Sequence, residues 1–208
     1  MSGSWLFPTL LGLALFQGFL GMGFQLVASR LLAPYFGTTL IVWAFLISSF
    51  LAAFSIGSFV GGSLSRLTGG TRRNALIALV IIGVGWFGIV AFGGRPVLRF
   101  LEAQFEAAWI GIGLACLLLF LCPVAALSAL LPIYTELLGR SGRGAGSSSG
   151  LIYGTSTFGN IVGVMVTAFA LIPNFLTSEL LIGWFVCSFA CFAGAYLVAD
   201  DAASKPPP

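Results

Sequence analysis

A small group of polar side chains in this sequence could bind a ligand, and most of them recur on one helix face near the N-terminus. Gln17, Gly21 and Gln25 are four residues apart, which places them on one face of a helix. Because an amide in hydrocarbon needs a hydrogen-bond partner, the glutamines predict either contacts between helices or a polar lining for a small ligand. Arg30 costs free energy in a membrane unless it reaches headgroups or a partner. The predicted ligand-binding set is Gln17, Gln25, Arg30 and Asn160.

The residue types needed for catalysis or metal binding are scarce. The sequence has no histidine, and no Asp, Glu or Lys falls in the middle of an apolar segment. We therefore expect no catalytic residue, no metal and no cofactor, and we expect that the chain is not an enzyme. Cys187 and Cys191, four residues apart, could share a soft metal. Without a third ligand nearby in the sequence, we interpret them as small hydrophobic residues.

Composition indicates a membrane protein. Hydrophobic residues make up 59% of the 208 residues and charged residues only 7%, and the mean hydropathy is +1.08, whereas soluble domains carry about 25% charged residues. A net charge of +3 is too small to indicate nucleic-acid binding. Because a helix needs about 20 apolar residues to cross a bilayer, we predict an all-α polytopic membrane protein. Its six spans are 6–28, 39–63, 74–94, 108–138, 150–172 and 177–199.

The spans predict one transmembrane domain, residues 1–199, and a short cytoplasmic tail, residues 200–208. The uncharged start, residues 1–5, lacks the basic region of a cleaved signal peptide, so we expect the first span to be retained. The connections on one side hold six basic residues, which are Arg66, Arg72, Arg73, Arg140, Arg143 and Lys205. The other side holds three, which are Arg30, Arg95 and Arg99. The positive-inside rule then predicts that both termini are cytoplasmic.

Two connections have a pattern of their own. The connection between the first two spans is predicted to be a short polar turn that carries Arg30 and Pro34. Its segment Ala33–Gly37 interrupts the helix, because proline cannot continue it and glycine permits the bend. In Gly94–Glu106 charged residues fall on one helical face, and apolar residues fall on another. The apolar face is formed by Leu98, Leu101 and Phe105. This pattern predicts a short amphipathic helix that lies in the membrane interface or forms a docking surface for a partner.

The fourth span is longer than a membrane requires. As a straight helix, residues 108–138 would measure about 46 Å, and the segment contains Pro123 and Pro132. It therefore either crosses once with a kink or a tilt, or breaks into two crossings and gives seven spans. The segment that follows, Gly139–Gly150, is rich in glycine and serine and predicts a flexible loop.

Two pairs of glycines predict where helices pack. Gly57 and Gly61 are four residues apart, as are Gly159 and Gly163. Each pair removes the side chains from one ridge of a helix, so that a neighbouring backbone can approach closely. We therefore assign these four glycines to helix packing.

Two stretches together resemble a known family. Residues 25–62 contain SRLLAPYFGTTLIVW and GSFVGG, and residues 150–173 read GLIYGTSTFGNIVGVMVTAFALIP. They resemble the membrane region of the fused spermidine-synthase-like proteins of bacteria, in which a multi-helix membrane domain precedes a cytoplasmic aminopropyltransferase-like domain. The matching positions are Ser29, Arg30, Leu31, Leu32, Ala33, Pro34, Gly37, Trp43, Gly57, Gly61 and Gly62, and then Gly150, Tyr153, Thr157, Gly159, Gly163, Phe169, Leu171, Ile172 and Pro173.

The resemblance implies a helical membrane fold and a place in the bacterial inner membrane. The sequence departs from the family at Gln25, where a glutamate is common, and the 208 residues contain no synthase-like domain. We therefore do not carry over an activity on polyamines.

These observations lead to two expected functions. The first is a non-enzymatic membrane protein that acts as an accessory or assembly subunit of a larger membrane complex. Its partners would be membrane lipids and protein subunits, such as a separately encoded synthase-like protein or an energy-transducing or electron-transfer complex, and no nucleic acid. The second is a small transporter or binding protein for an amphipathic, polyamine-related molecule, with Gly139–Gly150 as a mobile element.

Overall fold

Six long helices make up the described part of the molecule. The computed structural model describes residues 5–203, and every regular element among them is helical. The helices are α1 (Leu6–Phe36), α2 (Leu40–Ser65), α3 (Gly69–Gln104), α4 (Ala108–Gly139), α5 (Ala145–Asn174) and α6 (Thr177–Ala203). All six are long and apolar enough to cross a membrane. The prediction of an all-α multi-pass membrane protein is therefore confirmed.

α4 and α5 each contain a π-helical stretch just before a proline. Cys116–Leu121 precedes Pro123 in α4, and Thr167–Leu171 precedes Pro173 in α5. Proline has no N–H and breaks the α-helical hydrogen-bond pattern, and the wider π turn absorbs this break without ending the helix. α4 is therefore one crossing, and the alternative of two crossings is wrong.

α1 and α4 are the most deeply buried helices. α1 packs most extensively against α5 and also contacts α2, α3, α4 and α6. α2 packs mainly against α4, whereas α3 packs against both α4 and α6 to a similar extent. Since the helices alternate in direction, α1 begins and α6 ends at the same end of the bundle, which we call the terminal face. The other end, where α1 and α3 end and α6 begins, is the opposite face.

An aromatic cluster fills the centre of the bundle. Each of the first four helices contributes one phenylalanine, and these are Phe24, Phe50, Phe87 and Phe120. All four are at most 2% exposed. The ring of Phe24 lies 4.9 Å from that of Phe87, 5.8 Å from that of Phe120 and 6.1 Å from that of Phe50, measured between centroids. Tilted and edge-to-face pairs at these distances are the favoured aromatic arrangements.

The predicted turn at Ala33–Gly37 lies further along the chain than expected. Arg30 and Pro34 are both inside α1, which ends at Phe36 and leaves the helix at Gly37 with φ of 73°. Only glycine adopts this conformation without strain. Pro34 removes one backbone hydrogen bond, but side chains before and after it fix α1 to neighbouring helices. Arg30 binds α5, and the Phe36 ring packs over Gly111 of α4.

The prediction of a separate interfacial helix at Gly94–Glu106 is wrong. α3 continues through this segment to Gln104, with Pro96 inside the helix. Leu98 and Leu101, which we assigned to the membrane interface, are buried in the protein core instead, and Phe105 packs against that core. The amphipathic pattern arose because this end of α3 packs against the bundle with one face only.

Two further boundaries differ from the prediction. α5 begins at Ala145, so the second half of the expected loop Gly139–Gly150 is helical, and Ser148 is fully buried beside Gly139. α6 continues past the expected start of the tail at Asp200 to Ala203. Asp200 lies 4.0 Å from Arg73 of α3, and alanines follow it, which favours the extra turn. Residues 1–4 of the expected start and residues 204–208 of the expected tail lie outside the described residues.

Candidate functional site

The predicted ligand residue Gln17 lies in the interface between α1 and α5, which we call the α1–α5 seam. Its Oε1 accepts a hydrogen bond of 3.0 Å from the Oγ of Ser156, and both side chains are buried. A hydrogen bond between two helices in a membrane contributes about 0.6 kcal/mol on average. The amide of Gln17 therefore joins two helices in this structure.

Glycines bring the two backbones of this seam into contact. A Cβ added to Gly18 would lie 2.9 Å from the carbonyl carbon of Ser156, and one added to Gly159 would lie 2.9 Å from that of Leu15. At Gly163 a Cβ would lie 2.8 Å from the Cα of Phe19. Real Cβ contacts are essentially never this short. The seam therefore has no room for a side chain at these positions.

The other predicted packing pair lies in the interface between α2 and α4. A Cβ added to Gly57 would lie 2.7 Å from the Cβ of Ser128, and one added to Gly61 would lie 2.9 Å from the Cα of Ala129. Ser128 also donates a hydrogen bond of 3.0 Å to the carbonyl oxygen of Phe54. Both glycine pairs therefore lie in interfaces where two helices are closest.

Gln25 and Asn160 have no such partner. Gln25 is 6% exposed, Asn160 is half-buried, and neither side chain forms a hydrogen bond within residues 5–203. Asn160 faces α1, since its Oδ1 would lie 3.9 Å from a Cβ at Gly21. Their role in binding a ligand stays a prediction.

Arg30 lies at the opposite face and holds the end of α5. Its Nη1 donates to the carbonyl oxygens of Ile172 and Phe175, at 2.7 and 2.8 Å. The last carbonyls of a helix lack partners within the helix, and a cation is favoured there. Gln17 and Arg30 are about 20 Å apart along the axis of α1 at 1.5 Å per residue. The four predicted ligand residues therefore do not meet around one small molecule.

Two tryptophans that sequence reasoning missed also join helices. The Nε1 of Trp86 in α3 donates to the carbonyl oxygen of Leu118 at 2.8 Å, and that of Trp184 in α6 donates to Leu20 at 3.0 Å. Leu118 lies in a π turn five residues before Pro123, and a π-helix pairs each N–H with the carbonyl five residues back. Because proline lacks that N–H, Pro123 cannot donate to the Leu118 carbonyl, which accepts a hydrogen bond from Trp86. The sequence signal that could have predicted the Trp86 contact is a tryptophan in one apolar helix together with a proline inside another, because the proline cannot donate to a carbonyl that the indole N–H can then bind.

Charged side chains form contacts between helices at the terminal face. Arg72, which is 4% exposed, lies 3.1 Å from the carboxylate of Glu136, and Glu136 also pairs with Arg140, which directly follows the end of α4. Arg73 donates a hydrogen bond of 3.2 Å to the hydroxyl of Tyr196. These contacts connect α3 to α4 and to α6.

Several polar side chains in the interior connect one helix to another, whereas the buried Ser49 and Ser188 bind carbonyl oxygens of their own helices. Serine, glutamine, tryptophan and arginine each supply a bond between helices, and glycines supply the close approaches. These contacts hold the helices of the bundle against one another. The chain matches no protein-family model, no curated protein and no solved structure. The resemblance to the spermidine-synthase-like membrane region therefore stays a prediction.

Proposed function

We propose that this chain is a non-enzymatic membrane subunit that binds a partner protein within a larger membrane complex. The observation that carries the proposal is the aromatic cluster at the centre of the bundle. Phe24, Phe50, Phe87 and Phe120 occupy the space between the first four helices, where a path for a solute would otherwise run. A chain with a packed centre acts through its outer surface.

The α1–α5 seam supports the same proposal. A carrier must part some of its helices during each cycle, and the backbones of α1 and α5 touch at Gly18, Gly159 and Gly163. Gln17, which a carrier would use to line a binding site, already accepts a hydrogen bond from Ser156. These contacts favour a rigid subunit over a transporter.

The outer face of α5 is the best candidate for the contact with a partner. Gly146, Gly150 and Gly154 follow one another at intervals of four residues, all three are exposed, and no heavy atom lies within 4 Å of a Cβ added to any of them. They form a second glycine ridge, separate from the one that α1 covers. Phe158, which is 59% exposed, continues this face. In membranes such ridges allow a second helix to approach closely, so the proposed partner docks a transmembrane helix here.

The location and orientation are part of the proposal. Of the eight arginines, five lie towards the terminal face, and these are Arg66, Arg72, Arg73, Arg140 and Arg143. The positive-inside rule then places the terminal face in the cytoplasm. The resemblance in sequence suggests the bacterial inner membrane, with a separately encoded synthase-like protein as one possible partner and an energy-transducing or electron-transfer complex as another.

The test is purification of the tagged protein from its native membrane in mild detergent, with mass spectrometry of the proteins that accompany it. We expect a partner in a fixed ratio. Gly154→Leu should remove that partner without lowering the melting temperature of the isolated chain, because no heavy atom of another helix lies within 4 Å of a Cβ added there. Gly85→Leu is the matched control, since Gly85 is equally exposed in α3 with no atom within 4 Å of its Cβ.

Two results would overturn the proposal. One is a chain that purifies alone at every detergent concentration tested, and the other is a partner that Gly154→Leu and Gly85→Leu retain equally. In either case uptake assays would follow, because the transporter alternative predicts that Gln17→Leu and Gln25→Leu together abolish solute uptake.

A further inference from the structure

A pocket at the opposite face is lined by three arginines. It lies between the ends of α1, α3 and α6, has a volume of about 270 Å³, and is bordered by Arg30, Arg95 and Arg99 together with Tyr35 and Thr177. No carboxylate is among the side chains that line it. Guanidinium groups bind the oxygens of phosphate with two parallel hydrogen bonds, and hydroxyl groups add further donors. The chemistry of this pocket therefore suits an anion that contains phosphate.

The positive charges of this pocket have few partners within the protein. Arg95 and Arg99 lie on successive turns of α3, both are exposed, and within residues 5–203 neither forms an ion pair or a side-chain hydrogen bond. Glu102 and Glu106, which follow them in the sequence, pair with neither. Like charges one turn apart destabilise a helix, and an anion held between them would remove that cost.

Arg30 is held in place and keeps donors for a ligand. Its Nη1 binds the carbonyl oxygens of Ile172 and Phe175, which fixes the guanidinium plane. Its Nε and Nη2 form no hydrogen bond within the described part of the chain. A donor that is already oriented loses less entropy when it binds a ligand.

An apolar cleft lies near the arginine pocket. It lies between α1, the end of α5 and α6, has a volume of about 240 Å³, and is lined almost entirely by apolar surface, including Phe19, Leu20, Phe175 and Trp184. Phe175 brings the two cavities close together, since it lines the cleft and its carbonyl oxygen binds Arg30, which lines the arginine pocket. From Arg30 to Phe19, α1 runs about 16 Å towards the middle of the bundle. The cleft therefore has the direction and the surface that an acyl chain requires.

One carboxylate borders the cleft, and it is already engaged. Glu179 accepts a hydrogen bond of 2.8 Å from the backbone N–H of Leu176, at the start of α6. A carboxylate in this position is favoured by the helix dipole. The charged groups that line the arginine pocket are therefore the three arginines alone.

We propose that the two cavities form one binding site for a phospholipid at the opposite face. The phosphate is bound by Arg30, Arg95 and Arg99, and one acyl chain lies in the cleft between α1 and α6. The site is separate from the outer glycine ridge of α5, so it does not depend on the proposed partner.

The experiment measures binding of phosphatidylglycerol to the purified full-length chain by native mass spectrometry in mild detergent. Arg95→Gln combined with Arg99→Gln tests the phosphate end, and we expect affinity to fall about thirtyfold, since each basic residue near the surface contributes about fivefold to binding of an anionic lipid. Gly183→Leu tests the other end, because Gly183 lines the cleft and is exposed, with no atom within 4 Å of an added Cβ. Leucine there fills the cleft without changing any charge and should weaken binding as well.

The controls are Arg66→Gln and Gly85→Leu, which change an exposed arginine and an exposed glycine elsewhere. Both should bind the lipid as the unchanged chain does. Equal binding by the cleft variant and its control would overturn the lipid site. A second measurement, binding of inorganic phosphate in competition with the lipid, distinguishes a phospholipid site from a site for free phosphate. At a site for free phosphate, the arginine substitutions would weaken binding and Gly183→Leu would not. If the doubly substituted chain does not fold, Gly183→Leu decides the question alone.

Discussion

Replacing Gly159 with alanine should force α1 and α5 apart. A Cβ at this position would lie 2.9 Å from the carbonyl carbon of Leu15 and 3.1 Å from its Cα, and closer still to the carbonyl oxygen. Ordinary van der Waals contacts begin near 3.4 Å, so the helices must separate by at least about 0.5 Å. These atoms belong to a helix backbone and cannot turn away as a flexible side chain could.

The separation should cost about 1–3 kcal/mol, which is the usual range for overpacking a well-packed interior. Part of the loss is the hydrogen bond between Ser156 and Gln17, which spans the same seam at 3.0 Å. Gly154→Ala is the matched control on the same helix, because an added Cβ there meets no atom within 4 Å. The control should be neutral or slightly stabilising, since alanine favours the helix over glycine.

The assay is equilibrium unfolding of the purified chain in mixtures of a mild and a denaturing detergent, followed by tryptophan fluorescence. Gly18→Ala tests the same contact from the α1 side, because a Cβ there would lie 2.9 Å from the carbonyl carbon of Ser156. If one separation of the helices relieves both clashes, the double variant should lose less stability than the sum of the two single losses. A Gly159→Ala chain as stable as Gly154→Ala would refute this description of the seam.

Two further substitutions test the contacts between other helices. Trp86→Phe should lower stability by about 0.6 kcal/mol, the average for a hydrogen bond between membrane helices, whereas Trp109→Phe, at a side chain that is 58% exposed, should have no effect in the same unfolding assay. Arg72→Gln should cost about 1.5–3 kcal/mol, because it removes a hydrogen bond to the charged carboxylate of Glu136, which keeps Arg140 as a partner. Arg73→Gln, at a side chain that is 63% exposed, should leave the unfolding free energy nearly unchanged. Equal stability within either pair of variants would contradict the role assigned to the buried residue.

The number and type of the helices could be predicted from the sequence. Which helix faces contact protein and which contact lipid could not. Hydropathy identifies a crossing because the bilayer requires about 20 apolar residues. It does not distinguish a face that meets lipid from one that meets protein, since both environments are apolar. Leu98 and Leu101 illustrate this limit, because their apolar pattern predicted the membrane interface and the structure buries them in the core.

The polar contacts depend on which helices become neighbours, and a single sequence contains little information about that. Gln17 was recognised as a residue that needs a partner, but Ser156, which supplies the partner, lies 139 residues away. Arg30 was assigned to a turn because proline and glycine follow it. It belongs instead to a continuing helix, because the end of α5 offers carbonyl groups for its guanidinium.

The pairing of α1 with α5 has a consequence for biogenesis. The four phenylalanines of the central cluster all belong to the first four helices, so this cluster can assemble before α5 has been translated. Gln17, however, must wait for Ser156, and at ribosomal rates of about 5–20 residues per second the delay is on the order of 10 s. During that time α1 presents an amide without its partner and a glycine groove to lipid or to the insertion machinery. A ribosome that stalls before α5 would leave this surface of α1 uncovered.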